Sequence, residues 1–196
     1  MRFLYLLLTA LVAGIVLGHY LAPDFGNAYE VMLYVLIFLI GLDLGVNFRV
    51  EDLKRVGRRA LVLPFLTLVG SLLGALAASL LLNVPLRWGM AIGAGCGWYS
   101  LTGPLIAQYS AIYGAIGFLA NLAREILTIL LYPVLSRRID PEKAVVIGGA
   151  TTMDTTLPII ARFGGRDVAL VAFVHGFILT AIVPFVVPIF LSLFDY

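Results

Sequence analysis

Residues 89–108 read GMAIGAGCGWYSLTGPLIAQ, and no helix that faces lipid is written that way. Glycines run through the segment, and Ser100, Thr102 and Pro104 stand near its centre. The hydrocarbon core offers no water to an exposed N–H or C=O. Backbone that leaves the helix at membrane depth must therefore line a cavity or be covered by protein. Residues 144–163, AVVIGGATTMDTTLPIIARF, carry the same signature, with paired glycines, four threonines and Pro158. From residue 89 onward the order is broken segment, helix, broken segment, helix. Paired interrupted segments in corresponding positions point to a transporter binding site, although the two tracts share a pattern and no convincing residue identity.

The rest of the chain is built for lipid. Hydrophobic residues fill 62% of the 196 positions and charged residues 12%, against roughly 45–50% apolar in a soluble domain. At about 20 residues per crossing the length allows five to seven membrane segments and no soluble domain beside them. Residues 3–21, 29–46, 60–82, 114–135 and 168–191 read as complete crossings. The first lacks a clear small-residue cleavage site and reads as a helix rather than a signal peptide. The expected fold is an all-α integral membrane protein of about five transmembrane helices plus two re-entrant or broken helical hairpins, an inverted-repeat transporter core. Residues 1–59 form two N-terminal helices with a basic loop, and 60–196 the transport core. GxxxG pairs such as Gly70/Gly74 are expected at close helix contacts. Cys96 is the single cysteine, which excludes a disulfide within the chain.

Basic residues decide how the broken segments sit. Loop 47–59 carries Arg49, Lys54, Arg55, Arg58 and Arg59, and loop 136–143 carries Arg137, Arg138 and Lys143. Both should be cytoplasmic. Three full crossings between them would put them on opposite sides, whereas two crossings and a re-entrant hairpin put them on the same side. The same parity keeps Arg162 and Arg166 inside. Each hairpin limb of about ten residues then reaches roughly 15 Å, to the midplane. Two full crossings with unwound centres are the alternative.

The strongest chemical signal is GFLANLAREILTILLY, residues 117–132. Arg124 and Glu125 fall mid-crossing, where an ionisable side chain costs about 2.5–3.5 kcal/mol on insertion scales. Gly114, Gly117, Asn121, Glu125, Thr128 and Tyr132 recur in steps of three and four and share one face. A solute and proton site centred on Glu125 competes with a structural Arg124–acid pair. Asp154 lies among Thr151, Thr152, Thr155 and Thr156, where unwound backbone and hydroxyls can bind a cation; a hairpin cap is the plainer role. Trp98, Tyr99, Ser100 and Thr102 mark the other broken centre, and aromatic faces suit an alkyl-ammonium chain. Asp43 reads as an interfacial carboxylate. His175 reads as a buried histidine with one hydrogen-bond partner, or as a proton relay. The pattern contains no metal cluster, phosphate loop or basic nucleic-acid face, so no metal, cofactor or nucleic acid is expected.

At GCGWYSLTGPL, NLAREILTILL, GGATTMDTTLP and VHGFIL the chain resembles the LysO-type lysine exporters. The resemblance runs through essentially all of residues 1–196. It implies export of L-lysine and of toxic analogues such as thialysine from a prokaryotic cell across its plasma membrane, with proton-coupled antiport. It also carries the family's intramembrane glutamate onto Glu125. Full-length members have an additional N-terminal membrane region that this shorter form lacks, and an aspartate where this chain has Asn121. A homodimer, or a complex with a small companion membrane chain, is therefore expected. Export of another small amino acid or cation, a non-transporting subunit, and a hydrolase pairing Ser100 with His175 are the competing readings. The spacing around Ser100 is no nucleophile elbow, and an enzyme is not expected.

Overall fold

Helix α1, Val50–Leu82, begins the continuous part of the structure, a computed structural model that describes residues 50–193 and scattered positions before them. Asp43, and most of the expected crossings 3–21 and 29–46, lie outside the described residues; the positions described there are helical. No strand occurs among the described residues. Gly57 breaks α1 at φ 77°, which leaves Leu61–Leu82 as its apolar span.

Two short helices follow, α2 (Leu86–Ala94) and α3 (Tyr99–Ala107), joined by the turn 95–98. Small residues bring α2 back along α1. A Cβ at Gly93 would press on Ala75 and on the Ser71 carbonyl, and one at Gly89 on Ser79. Helix α4, Ala111–Leu135, receives α3 in the same way, with Gly103 against Phe118 and Gly114 against Ala107. The beginning and the end of this helix–turn–helix meet. Trp88 stacks on Tyr113 at 4.8 Å, and the Arg87 guanidinium lies 5.4 Å from the Tyr109 ring. Residues 86–109 therefore enter and leave at one end of the bundle.

The second broken segment does the same from the other end. A single turn, α5 (Pro141–Ala144), leads into the 3₁₀ turns Val145–Ile147 and Gly149–Met153. Helix α6, Leu157–Leu193, then starts inside the protein and bends at Gly165, where φ is 84°. Tyr132, near the C-terminal end of α4, donates to the Pro141 carbonyl at 3.2 Å and also touches the Gly164 position. Arg137 and Arg162 both lie over Phe163, at 5.9 and 5.7 Å. The expected start of the last crossing at residue 168 thus sits beyond a bend in a longer helix.

Two apolar cores divide the work. Ala91, Leu101, Leu105 and Ile106 of the first hairpin pack on Leu179, Val183 and Val187 of α6. Tyr132, Val145, Ile160 and Val168 close the other end. The tips meet between them: the Ala150 N–H donates to the Cys96 carbonyl at 2.9 Å. Gly97 (φ 94°) and Gly149 (φ 62°) make that contact possible, because a Cβ on Gly149 would collide with the Cys96 carbonyl oxygen. Among the described residues, three helices, Leu61–Leu82, Ala111–Leu135 and Leu157–Leu193, are long and apolar enough to cross a membrane.

Candidate functional site

The site is built on the face of α4 that turns inward. Its buried residues are Gly114, Gly117, Asn121, Leu122, Glu125, Thr128 and Tyr132, the small and polar stripe read from the sequence with one leucine added. Glu125 lies about 21 Å from the start of α4 and about 15 Å from its end at 1.5 Å per residue.

Asn121 holds the first tip. Its Oδ1 accepts from the Gly97 N–H at 2.6 Å, and its Nδ2 donates to the carbonyls of Ile92 (3.1 Å) and Gly117 (2.9 Å). Its amide is committed to backbone on both sides. Arg124 holds the second tip. Nε donates to the Ile147 carbonyl at 2.9 Å, one terminal nitrogen to the Val146 carbonyl at 3.1 Å, and the other to the Ser71 hydroxyl at 2.9 Å. No acid shares these bonds among the described residues, so the expected Arg124–acid pair is replaced by a cation that satisfies unwound carbonyls. That chemistry fits a guanidinium, whose several planar donors reach separate acceptors.

Glu125 sits one turn beyond Asn121, 5% exposed, and its Oε2 has no hydrogen-bond partner. Its carboxyl faces the side chains of Tyr99 and Thr155 and the carboxylate of Asp154. Asp154 and Thr155 are exposed at the second tip, where Asp154 Oδ1 accepts from the Thr155 N–H. Tyr99 is buried edge-on to Phe118, at 5.3 Å between ring centroids. Trp98 donates through Nε1 to the hydroxyl of the exposed Ser100 at 3.1 Å. The structure thus gathers Glu125, Asp154, Tyr99 and the neighbouring Trp98 and Ser100 at the level where two helices begin.

The remaining threonines face inward to the scaffold. Thr102 is fully buried over Gly95, with a hydroxyl that has no partner. Thr151 donates to the Gly148 carbonyl at 2.9 Å. Thr152 bonds the Gly149 and Ala172 carbonyls and His175 Nδ1. His175 has two partners rather than one, since Thr67 of α1 meets its Nε2 at 2.8 Å. Both ring nitrogens are occupied by threonines, so Ser100 is not its partner.

Sequence reasoning missed Thr67 and Ser71, and it noted Thr155 only as a neighbour of Asp154. Thr67 and Ser71 are four residues apart within the apolar span of α1, a spacing that puts them on one face. They line a cleft of ≈ 700 Å³ with Gly70, Gly74, Arg124 and Lys143. Nothing lies within 4 Å of a Cβ at Gly70 or Gly74. No other described element packs closely on this pair.

The family model for the lysine exporter LysO matches residues 8–191. The lysine exporter LysO of Escherichia coli is 38% identical over 165 residues, which cover 84% of this chain and 55% of that protein. A Haemophilus influenzae protein named "Putative lysine exporter" is 32% identical over 95% of this chain and 97% of its own length. This chain thus spans about half of the first relative and nearly all of the second. No solved structure matches it. The family is one of transporters, not enzymes, and the chain belongs to the LysO family of lysine exporters.

Proposed function

We propose that this chain exports L-lysine, and toxic analogues such as thialysine, across the plasma membrane of a prokaryote by exchange with protons. The carrying observation is Glu125: a carboxyl at mid-crossing, buried, with one oxygen unpartnered, between two hairpin tips. An isolated carboxylate in low dielectric is costly. Either a proton or an ammonium relieves it, so the two compete for one group. Export of one lysine against entry of one proton then moves no net charge. Asp154 is the second carboxylate within reach, and Trp98 and Tyr99 flank the alkyl chain. Asn121, Arg124, Thr151, Thr152 and His175 hold the tips in register, while Thr102 lies beneath the first.

In the membrane, the two helix–turn–helix units act as re-entrant hairpins opening from opposite faces, with five crossings around them. The basic residues favour a cytoplasmic side at the Arg137–Lys143 end. The Gly70/Gly74 face of α1, on which no other described element packs, supports a homodimer or a small companion membrane chain. Purified protein in liposomes preloaded with unlabelled lysine should accumulate labelled lysine by counterflow. Label that stays outside, with or without a companion, contradicts the proposal.

A further inference from the structure

Two helices begin at the level of Glu125, and their N-termini are not equivalent. At α6 the Asp154 carboxylate already accepts from the Thr155 N–H, and the Leu157 and Ile160 amides donate to the Asp154 and Thr156 carbonyls. Pro158 has no N–H. At the α3 terminus the Tyr99 and Thr102 amides are likewise bonded, to the Gly97 and Trp98 carbonyls, but no side chain caps it. Trp98 stands at its cap position and makes no side-chain bond to the first-turn amides, and the amides of Ser100 and Leu101 have no backbone acceptor among the described residues. Asn121 pins Gly97 at its own level, and α3 runs from there toward Gly114. The positive end of α3 therefore points along α4 toward Glu125, one turn further on. The unpartnered oxygen of that buried carboxyl is the second sign of an absent ligand.

We infer that the open N-terminus of α3 is the subsite for the substrate's α-carboxylate, held by the Ser100 and Leu101 amides. This rests on the exporter reading and specifies its substrate class. Helix N-termini bind anions through free N–H groups and the aligned peptide dipoles. The charge pattern is complementary: two carboxylates, Glu125 and Asp154, and one open helix terminus face a molecule with two ammonium groups and one carboxylate. The transported species is then a zwitterionic diamino acid and not a simple diamine. The threonines of the second tip are excluded as the carboxylate subsite, because their hydroxyls and turns are occupied internally.

The test is competition against labelled lysine in reconstituted protein, using lysine, lysine methyl ester, cadaverine and norleucine. Cadaverine and the methyl ester keep both amino groups and lose the anion; they should compete at least ten-fold more weakly than lysine. Ser100→Pro removes one of the two amides at a first-turn position that helices tolerate. It should reduce the preference for lysine over cadaverine at least five-fold, whereas Ser100→Ala should preserve it. Cadaverine competing as well as lysine in the wild type overturns the inference while leaving lysine transport intact. Absence of any lysine competition overturns the exporter reading itself. If Ser100→Pro fails to fold, the wild-type ester and cadaverine series still decides.

Discussion

Arg124 and Glu125 are adjacent in sequence and serve opposite ends of the problem. The guanidinium donates to the Val146 and Ile147 carbonyls and to the Ser71 hydroxyl inside the protein; Ile147 also accepts from Thr128, and Ser71 also donates to the Gly93 carbonyl. Replacing Arg124 with Ala should cost on the order of 3 kcal/mol, read as a lowered melting temperature in detergent. Arg124→Lys should recover only part of it, since an ammonium cannot span all three acceptors. Glu125→Gln should leave the melting temperature nearly unchanged, because Oε2 bonds nothing in the folded protein. The sign of the pH effect follows from competition. Lysine binds the ionised carboxyl, so affinity should rise with pH until Glu125 is fully ionised and then level off. In Glu125→Gln the binding curve should be flat across that range. The polar stripe of α4 was legible because a helix repeats every 3.6 residues and lipid tolerates no stray ion. The division of labour between the two charges was not, because the acceptors of Arg124 come from backbone more than twenty residues away.

At the scale of elements, the glycine-rich tracts told where helices break but not that the broken ends touch. The Cys96–Ala150 backbone bond joins residues 54 apart in sequence and depends on left-handed glycines at both tips. Gly149→Ala should be severe: a Cβ there meets the Cys96 carbonyl in addition to about 1–2 kcal/mol of left-handed strain. Gly165→Ala forces an alanine into φ 84°, ψ 179°, an essentially glycine-only region, but meets no neighbouring atom and should be the milder substitution. The folded yield of the two variants in detergent, by size-exclusion chromatography, checks the order. The bend at Gly165 also explains why the last crossing looked shorter in sequence than α6 is: hydropathy marks where lipid begins and not where a helix starts inside the protein. His175 shows the same limit, since its second threonine, Thr67, belongs to a helix 108 residues earlier.

At the scale of the whole molecule, the parity of basic residues turns the proposed hairpins into a topology that labelling can test. A cysteine at position 110 should react with an impermeant external reagent, and one at 136 should not, in a Cys96→Ala background. Reaction at 136 with protection of loop 47–59 would overturn the hairpin model, because the two basic loops would then lie on opposite sides. Among the described residues only 11% of the Leu61–Leu82 window is buried, against 50% for Leu157–Leu193, so cross-linking from α1 is the direct test of the proposed second chain. The central claim is that one carboxyl alternates between a proton and lysine. The measurement that addresses it is efflux of labelled lysine from liposomes under an imposed acid exterior, for the wild type and Glu125→Gln side by side. The account predicts faster efflux with the gradient in the wild type and no response in the variant. Efflux by Glu125→Gln at the wild-type rate, with the wild-type dependence on pH, would contradict it.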